Sequence, residues 1–185
     1  MDAQTLIYII PAFGVLALAF TMWKSSWVEK QEIGTDKMKK ISTHIYDGAM
    51  AFLRAEYKIL AIFVACVAVL LAIGGFTNDQ SHPAVAISFI VGAFCSGLAG
   101  FIGMKVATKA NVRTTNAART NLGKALEVAF AGGSVMGLGV VGLGVVGLGG
   151  LLAIFSTIEG FDNPMNVNTV ITIITGFSFG ASSIA

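Results

Sequence analysis

The sequence predicts an all-α, polytopic membrane helix bundle with five spans. Apolar residues make up 55% of the 185 and charged residues only 12%, about half the charged share of a typical soluble domain. Mean hydropathy is +0.79. The charges are also segregated, with none in 3–23, 59–78, 80–104, 128–158 or 163–185. Each stretch can supply the ~20 apolar residues that cross a hydrocarbon core as a helix. A chain in lipid must satisfy its backbone polar groups internally, and long continuous apolar runs do so as helices.

The spans fall near 4–23, 58–77, 84–104, 129–155 and 167–185. The first run is too long for a signal-peptide core and has no basic segment before it, so it reads as a retained span. The fourth is long enough to tilt or to project beyond the bilayer. All twelve Lys and Arg lie in two places, seven in 24–58 and five in 105–124. Basic loops stay on the cytoplasmic side. Segments 24–57 and 105–128 are therefore expected in the cytoplasm, with the N-terminus outside and the fifth helix running inward. The acidic Asp2, Asp79, Glu159 and Asp162 fall in the segments assigned to the outside. The fifth span reaches Ala185 without a polar flank, so the polypeptide is expected to continue on the cytoplasmic side.

Segment 24–57 carries its own helix signal. Thr35 can cap a helix from Asp36. Met38, Ile41, Ile45, Ala49, Phe52 and Leu53 then recur at helical spacing. This amphipathic helix either lies on the membrane surface or packs into a cytoplasmic domain, and it can run directly into the second span.

Glycine is concentrated in the third and fourth spans. GAFCSGLAGFIGMK sets Gly92, Ser96 and Gly100 four apart, with Gly97 beside them. Such small-xxx-small steps let helix backbones approach closely. GGSVMGLGVVGLGVVGLGG holds nine glycines in 132–150. Gly133, Gly137, Gly144 and Gly147 form one stripe and Gly132, Gly139, Gly142 and Gly149 a second, so the fourth helix is expected to sit between two neighbours. On this reading a leucine at Gly137 would impair assembly or activity of the full protein. GLGVV at 137–141 and 142–146 is a short internal duplication.

Several chemical motifs are rejected on context. GLGVVG satisfies the dinucleotide-binding glycine pattern at 137–142 and 142–147, but that pattern acts between a strand and a helix in a βαβ unit. No G-x-x-x-x-G-K-[ST] is present. No span carries the mid-membrane carboxylate that a rotor ring or ion relay would use. Cys66 and Cys95 lie in different spans and read as packing residues. His44 and His82 are isolated, and a metal site needs convergent ligands. A small transporter half or a non-enzymatic assembly subunit remains possible on composition, though a transporter half needs polar or broken-helix features at the midplane. Pro11 and the glycines supply only weak ones. The near balance of twelve basic and ten acidic residues offers nothing to nucleic acid.

Three stretches add a resemblance. DGAMAFLRAEYK (47–58), GLAGFIGMKVATKANVRTTNAAR (97–119) followed by KALEVAFAGGSVMGLGVVGLG (124–144), and GFSFGASSIA (176–185) occur in an order and spacing that resemble the membrane-bound, ion-translocating pyrophosphatases. The resemblance covers nearly the whole chain. It implies a larger protein of about sixteen membrane helices per subunit, a homodimer, of which 1–185 is the N-terminal part of one membrane domain. It implies pyrophosphate as substrate, Mg²⁺ as the cofactor that neutralises and orients it, and catalytic residues beyond this chain. Na⁺ or H⁺ is the pumped ion. The glycine-rich span and 33–58 look more like the sodium-pumping branch, which implies K⁺ as activator. Ser182 matches a serine near the family's ion gate, with Ser183 beside it; a serine bonded back to its own helix is the structural alternative. Arg113, Asn116 and Arg119 match a cytoplasmic polar stretch, where they either serve function or anchor topology and packing. The expected location is the cell inner (plasma) membrane.

Overall fold

The computed structural model describes residues 3–77, 81–159 and 164–185. It consists of five helices: α1 (Ala3–Glu29), α2 (Asp36–Thr77), α3 (Ala84–Ala118), α4 (Leu122–Glu159) and α5 (Pro164–Ile184). Among the described residues there is no strand. All five helices are long and apolar enough to cross a membrane. Three helices run well past their apolar stretch. At 1.5 Å per residue the 42 residues of α2 span about 63 Å, twice the hydrocarbon thickness. The segment from Asp36 to Tyr57 is thus the continuous forward end of the second helix, not a separate element.

Local chemistry explains the turn before it. Gly34 has φ +95°, a left-handed conformation that glycine adopts without steric penalty. Thr35 Oγ1 then accepts from the Met38 amide at 3.4 Å, and Asp36 places a carboxylate in the first turn, where the helix dipole favours it.

The bundle is organised around α3, which packs on α2, α4 and α5, while α1 packs chiefly on α4. At the α3–α5 crossing the backbones touch. A Cβ on Gly92 would collide with the Phe177 carbonyl oxygen, and one on Gly180 with the Phe89 carbonyl oxygen. A Cβ on Gly176 would sit 2.5 Å from the Val85 carbonyl oxygen. Phe177, Ile173, Val170 and Val85 fill the space beside this crossing together with Leu151 and Phe155 of α4. The Phe89 and Phe179 rings approach to 5.2 Å. In lipid, apolar burial gives little drive for helices to associate, so close packing of this kind carries much of the association.

The α1–α4 contact uses the same device. A Cβ on Gly142 would lie 3.1 Å from the Gly14 carbonyl oxygen, and one on Gly149 would lie 2.9 Å from Pro11 Cγ. Pro11 donates no amide hydrogen to its helix. Its ring fits against α4 because position 149 has no side chain.

Many large apolar side chains face outwards, among them Leu16, Ile62, Phe76, Phe94 and Phe130. So extensive an apolar exterior is rare on a water-soluble monomer and marks a surface that meets lipid or other helices.

Candidate functional site

Among the described residues, the end of the bundle that gathers the lysines and arginines holds a cluster of long-range polar contacts. Arg113 of α3 is 8% exposed and binds the chain leaving α1. Its Nε donates to the Gln31 carbonyl at 3.1 Å and Nη2 to the Glu29 carbonyl at 2.9 Å, while Nη1 donates to Lys109 O at 2.8 Å. Carbonyls at a helix C-terminus have no partner within the helix, and a guanidinium presents enough donors to satisfy several at once. One turn earlier, Lys109 Nζ pairs with Glu29 Oε1 at 2.6 Å. That hydrogen bond holds the Glu29 carboxyl below its ordinary range against the opposing effect of burial. The pair's contribution is present above the carboxyl's unfolded value and fades as pH falls through the lowered one. With Glu29 nearly half exposed, the contribution is small.

Asn116 completes the arrangement. Its Nδ2 donates to the Glu32 carbonyl at 3.4 Å, and its Oδ1 fills the place a Cβ on Gly34 would take. Arg113 and Asn116 thus hold the α1–α2 turn against α3. Arg119 is exposed and lines a cavity of about 620 Å³ with Lys30, Glu32 and Lys124. Below, Lys24 lies over the Trp27 ring at 4.5 Å, and Trp27 packs on the Val28–Ala110–Ala131 cluster. A tryptophan–lysine pair of this kind suits the membrane boundary.

The expected glycine faces divide. Gly92 sits at the α3–α5 contact. Gly100 faces Tyr57, whose hydroxyl would lie 2.9 Å from an added Cβ and donates to the Gly97 carbonyl at 2.6 Å. Gly147 faces Phe177 and Cys95, and Gly132 faces Ala110 of α3. Gly133, Gly137 and Gly144 meet no described atom within 4 Å of an added Cβ. Gly133 and Gly144 nonetheless border cavities that α3 also lines, so the expected packing role of these glycines stays a proposal. A Cβ added at Gly137 meets no described atom within 4 Å. Ser96, Gly100 and Gly144 instead border a cavity of about 370 Å³ among α2, α3, α4 and α5.

A pair on α5 was not among the expected contact residues. Gly176 and Gly180 are four apart in GFSFG, the same small-xxx-small signal read on α3. Substituting leucine for Gly100 is expected to displace the Tyr57 hydroxyl from the Gly97 carbonyl and loosen α2 from α3. The check is faster cleavage of the α2–α3 connection by protease, and cleavage at the wild-type rate would contradict it.

On α5, Val170, Ile173, Phe177 and Gly180 are buried, whereas Asn168, Thr175, Ser178 and Ser182 are exposed on the other side. Ser183 Oγ bonds back to the Phe179 carbonyl at 2.7 Å. Cys66 is exposed and Cys95 half-buried, both as free thiols. Among the described residues no three His, Cys, Asp or Glu side chains converge to hold a metal.

The family model for the inorganic H⁺ pyrophosphatase matches residues 15–185. The chain belongs to the inorganic H⁺ pyrophosphatase family. It is 51% identical over 172 residues to a putative K⁺-stimulated pyrophosphate-energized sodium pump of Clostridium tetani, covering 93% of this chain and 23% of that protein. It is 45% identical over 177 residues to K⁺-insensitive pyrophosphate-energized proton pump 2 of Moorella thermoacetica, covering 96% and 24%. It is also similar to the K⁺-stimulated pyrophosphate-energized sodium pump of Thermotoga maritima, at 38% over 196 residues, covering 100% and 26%. The chain thus spans about a quarter of the length of these relatives. In this member of the inorganic H⁺ pyrophosphatase family, the contacts of Lys109, Arg113 and Asn116 tie α3 to the chain leaving α1 at one end of the bundle.

Proposed function

We propose that this chain forms the N-terminal quarter of a membrane pump that couples hydrolysis of inorganic pyrophosphate to cation transport, with Na⁺ as the ion and K⁺ as an activator. The observation that carries the reading is the 51% identity over 93% of the chain to a protein named as a K⁺-stimulated sodium pump. The 45% identity to a proton pump favours H⁺ as the second reading. In either case the basic end of the bundle faces the cytoplasm, the N-terminus lies outside, and the intact protein is a homodimer in the cell inner (plasma) membrane.

Within that pump the chain's role is architectural and path-lining. Arg113 and Asn116 fix the α1–α2 turn, and the α3–α5 crossing fixes α5. Polar side chains within a span face protein or water in preference to lipid. The exposed Asn168, Thr175, Ser178 and Ser182 then give α5 a face suited to the pump's interior, with Ser182 nearest the ion gate. Mg²⁺ binding, and the carboxylates that activate water, belong to the rest of the protein.

The test is pyrophosphate hydrolysis by the purified intact protein. Activity is expected only with Mg²⁺ and is expected to rise when K⁺ replaces choline. Absence of Mg²⁺-dependent hydrolysis would refute the enzyme reading. Hydrolysis indifferent to K⁺ would favour the proton-pumping alternative.

A further inference from the structure

Two adjoining cavities run along one face of α2 at the basic end of the bundle. The outer one, about 800 Å³, is bordered by Asp47, Met50, Arg54, Tyr57, Lys58 and Phe101. The inner one, about 560 Å³, is an apolar groove between α2 and α3 bordered by Ala61, Val64, Ala65, Ala93, Phe94 and Gly97. Tyr57 and Phe101 border both, so the two are continuous.

The helical register accounts for the continuity. Asp47, Met50, Arg54, Lys58, Ala61 and Ala65 recur three or four residues apart and share one face of α2. That face passes from charged to apolar where the second span begins. Small residues on both walls, Ala61 and Ala65 against Ala93 and Gly97, keep the inner part open. The Tyr57 hydroxyl bond to the Gly97 carbonyl at 2.6 Å pins the two walls together at the junction.

The charges are unbalanced. Among the described residues neither Arg54 nor Lys58 takes part in an ion pair, and Asp47 is the single carboxylate bordering the outer cavity. Lys105 adds a third cation beside it, 6.0 Å from the centre of the Phe101 ring. Arg54 and Lys58 sit at the mouth of an apolar groove, where the uncharged run of α2 begins. The groove below them, from Tyr57 to Ala65, extends about 12 Å along the helix axis. A basic pocket between helices at a membrane face is chemically matched to an anionic headgroup.

We propose that this face binds one anionic phospholipid, with its phosphate on Arg54 and Lys58 and an acyl chain in the α2–α3 groove. Free phosphate would leave the groove empty, and an uncharged lipid would leave the two cations unmatched. The occupant is therefore both anionic and amphipathic.

The test uses the intact protein, reconstituted with equal amounts of phosphatidylglycerol and phosphatidylcholine of the same acyl length, then released and weighed by native mass spectrometry. Wild type is expected to retain phosphatidylglycerol preferentially. Arg54→Gln with Lys58→Gln is expected to lower that preference about thirtyfold, as loss of two interfacial basic residues implies. Lys37→Gln with Lys39→Gln, on the same helix but away from the cavity, should leave it unchanged. Ala61→Phe fills the groove without altering charge and is expected to reduce the retained phosphatidylglycerol. Equal retention of the two lipids by wild type would overturn the proposal, as would an unchanged preference in the Arg54/Lys58 double variant. Displacement of the lipid by inorganic phosphate alone would assign the cations to a free anion instead. Crosslinking of a cysteine at Ala61 to a later segment of the polypeptide would assign the groove to protein and overturn the proposal.

Discussion

Gly180→Leu is expected to separate α3 from α5 and to be the most damaging single substitution in the described part of the chain. Its Cβ alone would overlap the Phe89 carbonyl oxygen. The obstacle is backbone, which cannot swing away as a side chain can. Overpacking ordinarily costs about 1–3 kcal/mol, and the upper end applies where the helices themselves must move. Moving them also opens the Phe177–Ile173–Val170 cluster, whose packing carries much of the association in lipid. The measurement is the thermal unfolding midpoint of the intact protein in detergent, with Gly48→Ala as comparison. A Cβ at Gly48 meets nothing within 4 Å, and alanine is favoured over glycine in a helix interior by about 1 kcal/mol. Gly48→Ala should match or exceed wild type while Gly180→Leu falls well below both. A Gly180→Leu protein as stable as wild type would mean that the two backbones are not in contact.

The second large effect is expected at Arg113. Replacing it with methionine keeps much of the aliphatic stem and removes the guanidinium, leaving the Gln31, Glu29 and Lys109 carbonyls without this donor. An unsatisfied buried polar group costs about 1–3 kcal/mol, and two of these carbonyls belong to the chain leaving α1. Total destabilisation of about 3 kcal/mol is expected, with the 30–35 turn becoming the first point of protease attack. Arg113→Lys retains the charge but has no planar fork to span three acceptors, so it should fall between the two. Protease resistance of Arg113→Met equal to wild type would remove Arg113 from its structural role.

The sequence made the helices legible because segregation of charge is a strong signal in a membrane chain. The 3.6-residue period was less informative, since lipid-facing and buried positions are both apolar. That ambiguity explains the glycine result. Two stripes on α4 were visible by spacing, but nothing in GGSVMGLGVVGLGVVGLGG distinguishes the face that meets α1 from the face holding Gly133, Gly137 and Gly144. The α5 pair Gly176 and Gly180 did carry a readable spacing, partly hidden inside GFSFGASSIA by the serines. Arg113, Asn116 and Arg119 could be placed at the basic end from sequence. Which of them is buried depends on how the 30–35 turn folds back, and that rests on Gly34, a single residue with a left-handed φ. Tyr57's bond to a backbone carbonyl on another helix had no sequence signal at all.

We propose that these five helices belong to a pump driven by pyrophosphate. The most direct test is uptake of radioactive sodium by sealed vesicles containing the intact protein, started by adding Mg²⁺ and pyrophosphate from the cytoplasmic side. Sodium accumulation is expected to require pyrophosphate, to increase with K⁺ and to persist when a protonophore collapses any proton gradient. Vesicles that hydrolyse pyrophosphate yet move neither sodium nor protons would contradict the proposal.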